Sequence, residues 1–408
     1  MKHIFYLFLL LTSFLAESQT QNFWTKKNDF PGLKRTRAAS FAVENHGYVC
    51  GGVDTSETVL NDLWQYDPVM DTWAQMASLP GSVRRDAIGF SIGTKGYLGT
   101  GIDSSEAQNG NTLADFYEYN PTTNIWTQKS DFPGFGGQGI YFATGFNIDS
   151  KGYLCGGKIG PNNYSSQLWE YKPSNDSWTL RAPFPGGVRY QLCSFVIGYD
   201  AFIGLGTDQD IYRKDMWRYS AGTNQWSQCA DLPGAERGGT ATFSIGLRGF
   251  VCGGTNGGFL DDTWEYNPFS NSWSVRAPFG GSERKNAIFF AINNKGYVGT
   301  GSGFSGKKES IHEYTPYESV FLDMKEKTNV GFSIFPNPVS SHFTVTGNYS
   351  GSATIEIVSL SGRKVMQIQV QMNEKMVIDK NLIQSGIYLV YLKNDKDEVI
   401  GTHKINVL

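Results

Sequence analysis

Apolar and polar residues alternate along most of this chain in short runs. AASFAVEN at 38–45 and TATFSIG at 240–246 put an apolar side chain at nearly every second position and a Phe near the end. A period of two is that of a half-buried strand. Clusters of Gly, Pro, Asn and Asp separate the runs, at places where turns need a positive or preset φ. Forty-eight glycines and few stretches of helical period agree with an all-β chain.

The strands recur in a fixed order. Trp24, Trp73, Trp126, Trp178, Trp226 and Trp273 are spaced 49, 53, 52, 48 and 47 residues apart. Each opens a similar phrase, from WTKKNDFPG to WSVRAPFGG. A period near fifty marks one supersecondary unit built repeatedly. After the Pro-Gly turn comes the apolar run, then an aromatic with a glycine pair, as in GYVCGG at 47–52, GYLCGG at 152–157 and GFVCGG at 249–254. Next is an aromatic-x-Tyr-x-Pro strand, as in WQYDP at 64–68 and WEYNP at 264–268. The set predicts four short antiparallel strands per unit. The glycine pair falls where backbones approach too closely for side chains, and the Trp and Tyr bodies fill the wedge between units.

These phrases resemble the kelch family of β-propellers over residues 23 to about 317. The resemblance implies a six-bladed disc. The chain opens on a lone outer strand, FWTKKN at 23–28, and leaves the last unit, HEYTP at 312–316, without a Trp strand. The N-terminal strand is therefore expected to complete blade six and seal the ring.

The two ends differ from the repeat. Residues 4–15 are an apolar run behind Lys2 and His3, too short to span a membrane, and read as part of a signal peptide over 1–18. The propeller then occupies 19–318. Residues 319–329 carry mixed charge and read as a linker. Residues 330–408 are rich in Ile and Val with period two, enough for a small β-sandwich. The PNP strand, the SLSGRKV turn, the L-x-x-G-x-Y strand and the closing KI-x-V resemble the type A C-terminal sorting domain of Bacteroidetes secreted proteins. That resemblance implies the type IX secretion machinery as a partner of residues 330–408. It also implies removal of the domain, with the cargo surface-attached or released. The fold expected is all-β: a six-bladed kelch propeller closed by its N-terminal outer strand, plus a small C-terminal sandwich.

A net charge of −3 argues against nucleic acid as a partner. No apolar run is long enough for a membrane span in the mature chain. Cys50, Cys155 and Cys252 share one strand position in alternate blades, where Gly99, Gly204 and Gly299 stand in the others. Such thiols read as small core residues, without a disulfide framework, a metal site or a cofactor.

Candidate chemistry lies on the face carrying the Pro-Gly turns. Three residues past each turn glycine stand Arg35, Arg84, Gly137, Arg189, Arg237 and Arg284. Five arginines in six blades are expected to ring the channel mouth. They either tie neighbouring loops together or hold an anionic ligand. The loops after the glycine pairs vary most and carry Tyr164, Tyr212, Phe259 and Phe304. Aromatic faces beside amides and carboxylates suit sugars. Asp62, Asp115, Asp215 and Asp262 recur at one offset and read as turn caps. The propeller's His46 and His312 do not form the two-His, two-Tyr copper set that the resemblance implies for a radical oxidase. No nucleophile elbow, phosphate loop or zinc motif is present. The expected function is a secreted or surface module binding a glycan or protein. The kelch resemblance also admits a sugar mutarotase or epimerase acting on sialic acid, with Glu236 or Glu283 as the carboxyl group. A purely structural surface protein is the third reading.

Overall fold

The computed structural model describes residues 22–316, apart from 107–109 and 210, and most of residues 332–407. The expected signal peptide and linker lie outside the described residues. Six antiparallel units of four blade strands run along the chain, the first joined also by the short strand Arg35–Thr36. Blade one is built from Ala39–Val43, His46–Asp54, Val59–Asp67 and Thr72–Met76, and the next four repeat that order. Blade six takes Ile288–Ile292, Lys295–Gly299 and Ile311–Thr315 from one end of the propeller and Phe23–Lys26 from the other. Phe23 pairs with Thr315 and Lys26 with His312, so the lone N-terminal strand closes the ring.

The repeat residues join blades as well as filling them. The Asn or Asp two residues before each Trp accepts a backbone N–H from the preceding blade. Asn124 Oδ1 takes Ala77 N–H at 2.9 Å, Asn224 takes Ala182 and Asn271 takes Ala230. In blades one to five it also accepts the Tyr hydroxyl of its own blade, as Tyr119 donates to Asn124 at 2.8 Å. The following Trp indole donates back, Trp126 to Ala77 O at 2.8 Å. At the seam Asn22 and Trp24 make the same pair of bonds to Ala277, so closure reuses the repeat's own latch. Trp73 Nε1 is the exception and has no partner.

The glycine pair has a comparable role. The N–H of its second member donates to the carbonyl at the next blade's Arg position: Gly52 to Arg84 at 2.9 Å and Gly254 to Arg284 at 2.9 Å. Gly52 sits at φ +94°, and a Cβ there would stand 2.8 Å from Thr36 O. Backbone conformation and space both select glycine. Cys50, Cys155 and Cys252 precede the pair, buried, and burial raises their thiol pKa values. For Cys50 and Cys252 the value is about 12. They pack as small apolar residues.

The C-terminal region forms a three-stranded sheet (Phe332–Phe335, His342–Gly347, Met376–Asp379) and a four-stranded one (Lys364–Gln371, Ser352–Ser359, Gly386–Lys393, Val399–Val407). Their inner faces share a core that includes Phe343, Ile355, Val390 and Ile405.

Candidate functional site

The five arginines read from the sequence are buried, at 0–4 % exposure. Arg35 grips Asp62 with two parallel bonds of 2.6 and 2.7 Å and also donates to Gly51 O and Leu33 O. Arg84 holds Asp115 the same way, at 2.8 and 2.6 Å. Arg189 pairs with Asp215 and Arg237 with Asp262. The recurring aspartates are thus not turn caps. Their carboxylates receive the Arg fork, and three of them also take a Trp indole N–H, Trp64 on Asp62 at 2.7 Å, Trp217 on Asp215 and Trp264 on Asp262. Burial pushes the Asp262 carboxyl up, but Arg237 and Trp264 more than offset it and hold it below its usual range.

Two blades depart from this pattern. In blade three the Arg position is Ile140, not Gly137: Ile140 N–H donates to Leu113 O as Arg84 N–H does to Leu60 O. The longer turn there, at Gly134–Gly137 with Phe135, Gly136 and Gly137 at positive φ, shifts the count by three residues. With no Arg to answer, the Asp position is Gln167, which still accepts the Trp169 indole at 2.9 Å. In blade six Arg284 stays buried but faces Ser310, donating to its Oγ and O. Lacking a carboxylate partner, the Arg284 guanidinium is driven by burial down to about 10.

The channel mouth is lined two residues further along, by Arg37, Asp86, Phe142, Gln191, Gly239 and Asn286. All six have φ between 50° and 62°. Each N–H donates to the equivalent carbonyl of the preceding blade at 2.9–3.2 Å, and Arg37 N–H to Asn286 O completes the circle. Left-handed backbone costs a non-glycine residue about 1–2 kcal/mol, and this closed annulus of bonds holds it in place.

Between the two rings stand Thr36, Arg85, Tyr141, Tyr190, Gly238 and Lys285. Each begins a short cross-strand row on the same face. The rows read Thr36–Val53–Val59, Arg85–Ile102–Thr112, Tyr141–Lys158–Tyr164, Tyr190–Thr207–Tyr212, Gly238–Thr255–Phe259 and Lys285–Ser302–Lys307. Tyr164, Tyr212 and Phe259 all fall at the outer position of their rows. Arg85 is 1 % exposed, donates to Asp86 and to Ser104 O, and leaves Nη2 unpartnered. Arg37 Nη1 lies 3.8 Å from the same Asp86 carboxylate. Burial pushes the Asp86 carboxyl up, opposed by Arg37, Arg85 and Lys158. Burial, with Arg37 nearby, pushes the Lys285 ammonium down. The Lys158 ammonium stands over Tyr190 at 4.5 Å and Tyr164 at 5.2 Å, and Lys285 over Phe259 at 5.4 Å. The rim carboxylates Glu57 and Asp208 pair with Lys307 and Arg213. Glu236 is exposed, and Glu283 accepts the Phe304 N–H at the rim.

The sequence signal for this inner set was the tripeptide at the Arg position. It reads RTR, RRD, IYF, RYQ, RGG and RKN in the six blades. Its first letter is nearly constant and its other two vary freely.

The Kelch motif matches residues 34–80, the first full repeat. The secretion system C-terminal sorting domain matches residues 333–407. The chain is a kelch-type propeller carrying a secretion sorting domain. Its fold is shared with the solved structure of YjhT, at 16% identity and a TM-score of 0.59, over 71% of this chain and 95% of that one. Identity that low speaks for the fold alone. No curated protein is similar enough to match the chain. The sorting domain marks the protein for type IX secretion, to the cell surface or the medium. Among the described residues no helix is long and apolar enough to cross a membrane, and no His, Cys, Asp and Glu cluster could hold a metal.

Proposed function

We propose that this kelch propeller is a secreted binding module whose channel mouth takes an acidic ligand, a carboxylated or sulfated glycan or an acidic protein loop. One observation carries the reading. Arg37, Arg85 and Lys158, from three different blades, gather around a single carboxylate, Asp86, and Lys285 of a fourth blade stands near Arg37. The buried Arg85 keeps a spare N–H, and the mouth residue Asn286 keeps a spare Nδ2. Unanswered donors in a concave, positive site call for acceptors from outside. The outer arginines Arg35, Arg84, Arg189 and Arg237 act through their aspartates, positioning the loops that carry the aromatics.

The test is binding of the full chain to an array of carboxylated and sulfated glycans, beside Arg37→Ala/Lys285→Ala. Binding that falls at least tenfold in a variant melting like the parent supports the mouth as the site. Equal binding by parent and variant defeats it.

A second reading, a sugar mutarotase or epimerase, is favoured by one feature. Asp86 is pushed up and Lys285 down by burial in the same mouth, the pattern of an acid and a base drawn toward neutral pH. Glu236 is exposed and Glu283 accepts the Phe304 N–H at the rim, so Asp86 is preferred to them as the candidate carboxyl. Turnover of a bound sugar that disappears in Asp86→Asn, with binding kept, separates this reading from the first.

A further inference from the structure

Two blade junctions on the ligand face follow one rule: the first residue of a blade's row packs on the last residue of the preceding row. Tyr190 of blade four stacks on Tyr164 of blade three, ring centroids 5.3 Å apart and planes 13° apart. Lys285 of blade six stands over Phe259 of blade five at 5.4 Å. Between blades four and five the rule has no side chain to use. Blade five opens its row with Gly238, and the preceding row ends in Tyr212. Among the described residues, no ring or cation packs on Tyr212, which is half-buried.

Glycine at 238 is not demanded by its backbone, since its φ lies outside the left-handed region. A Cβ there would meet Gln191 at Oε1 (3.2 Å) and Cβ (3.3 Å), so Gln191 would have to give by a few tenths of an ångström. The repeat tolerates Tyr at this position in two other blades, as Tyr141 and Tyr190. Blade five thus has no side chain where blade four carries Tyr190, and we call this step, beside the mouth residue Gly239 and the row that ends in Tyr212, a notch. Amide groups stand at its inner end, where Gln191 Nε2 donates to Asn286 Oδ1 at 3.3 Å and Asn286 Nδ2 is spare.

We infer that this notch is a subsite for one pyranose ring of an acidic glycan, stacked on Tyr212 where other blades place their own side chain. Pyranose is the occupant the chemistry selects. Its C–H face suits the Tyr212 ring, its hydroxyls suit the Gln191 and Asn286 amides, and its acid group, or that of the next sugar, reaches the mouth cations. The inference rests on the reading of the mouth as an acid site.

The experiment uses the full chain and an array of carboxylated and sulfated glycans of one to six sugars. Gly238→Tyr fills the notch with the residue blade four already carries, and Tyr212→Ala removes the aromatic ring. Both are expected to bind the glycans that the parent binds about tenfold more weakly or worse, the scale of one lost stacking contact with its buried area. Unchanged binding by a Gly238→Tyr protein that melts like the parent overturns the notch. If that variant does not fold, unchanged binding by Tyr212→Ala overturns it equally. A parent that binds no acidic glycan overturns the notch together with the glycan reading of the mouth. Loss in Arg37→Ala/Lys285→Ala but not in the notch variants keeps the mouth and removes the notch.

Discussion

Two rings of side chains lie two residues apart in every blade, and they have opposite characters. The outer ring is almost uniform, and four of its five arginines are neutralised by an aspartate on the same blade. The inner ring differs in every blade and is held uniform only in its backbone, by six left-handed residues in a closed circle of hydrogen bonds. A side chain repeated six times is serving the scaffold. A backbone repeated six times with a free choice of side chain is a mounting for function. The contrast also separates charge that is used internally from charge that is available. Four outer guanidiniums are answered by a carboxylate, and among the described residues only Arg189 of these keeps a buried donor, Nε, without a partner, whereas Arg85 retains one beside a shared carboxylate and Lys285 stands over a ring face.

The contrast breaks most visibly if an outer arginine is removed. Arg237→Ala leaves the Asp262 carboxylate, the Gly253 and Ala235 carbonyls and a large hole without their donor. Breaking a buried pair costs about 3–5 kcal/mol, and the low end applies because Asp262 keeps 32% of its side chain in water. Urea unfolding is expected to report a loss of about 3 kcal/mol. A loss under about 1 kcal/mol, within the range of an exposed pair, would return the outer ring to the candidate ligand contacts.

Blade six gives the next effect, because it departs from the outer pattern at two positions. His312 replaces the repeat Trp, with Nδ1 buried and unpartnered. Burial, with Arg284 and Lys26 nearby, lowers the imidazole from 6.5 to about 4. A base with a depressed folded pKa binds its proton first in the unfolded chain. Stability is therefore full above about pH 6.5 and falls as pH drops toward 4. The shift corresponds to about 2–3 kcal/mol between those limits. His312→Trp restores the repeat residue and is expected to flatten the melting temperature over that window relative to the parent. Equal slopes in parent and variant would mean that His312 is not the group that titrates.

Much of the scaffold was legible because its causes are local and repeated six times. The glycine pair, the Trp latch and the orphan strand at 23–28 each carry one physical requirement that returns in every blade. The site was legible only in its neighbourhood. Counting from the turn glycine led to the loops that carry the proposed mouth, and Tyr164, Tyr212 and Phe259 fall in the rows beside it. Regularity then drew attention to the five arginines, four of which are buried against aspartates 25–31 residues away through strand pairing. Blade three defeated the count outright, since nothing local says that GFGG adds a turn before Ile140. The variable letters in RTR, RRD, IYF, RYQ, RGG and RKN were the better guide, and they gained meaning once the backbone circle placed them on one rim.

A smaller effect sharpens the outer half of the comparison. Ser310 stands where four blades have Asp, opposite Arg284, whose guanidinium burial has driven down to about 10. Ser310→Asp supplies the missing carboxylate through a geometry the fold already uses four times. Hydrogen bonds to a charged group contribute about 1.5–3 kcal/mol, and desolvating the new carboxylate takes back part of that. A net gain of about 1 kcal/mol is expected in urea unfolding. A loss of stability would show that blade six has repacked around His312 so that the carboxylate no longer fits.

The smallest stability effect belongs to the inner ring, and it bears most on function. Arg37 has 29% of its side chain exposed and touches Asp86 only at 3.8 Å, while Lys285 has no carboxylate partner. Truncating both removes two like charges that push against each other and against Arg85. Lost packing of Lys285 on Phe259 and of Arg37 on Phe142 opposes that relief. The sum is expected within about 0.5 kcal/mol of the parent in either direction, the range of a surface substitution away from structural features. That neutrality is the signature sought. Residues that vary between blades, carry charge and cost the fold nothing when removed are kept for something other than folding. A loss above about 2 kcal/mol on Arg37→Ala/Lys285→Ala would show instead that the inner cations hold the Asp86 corner together, and would move the mouth into the scaffold beside the ring it is set against.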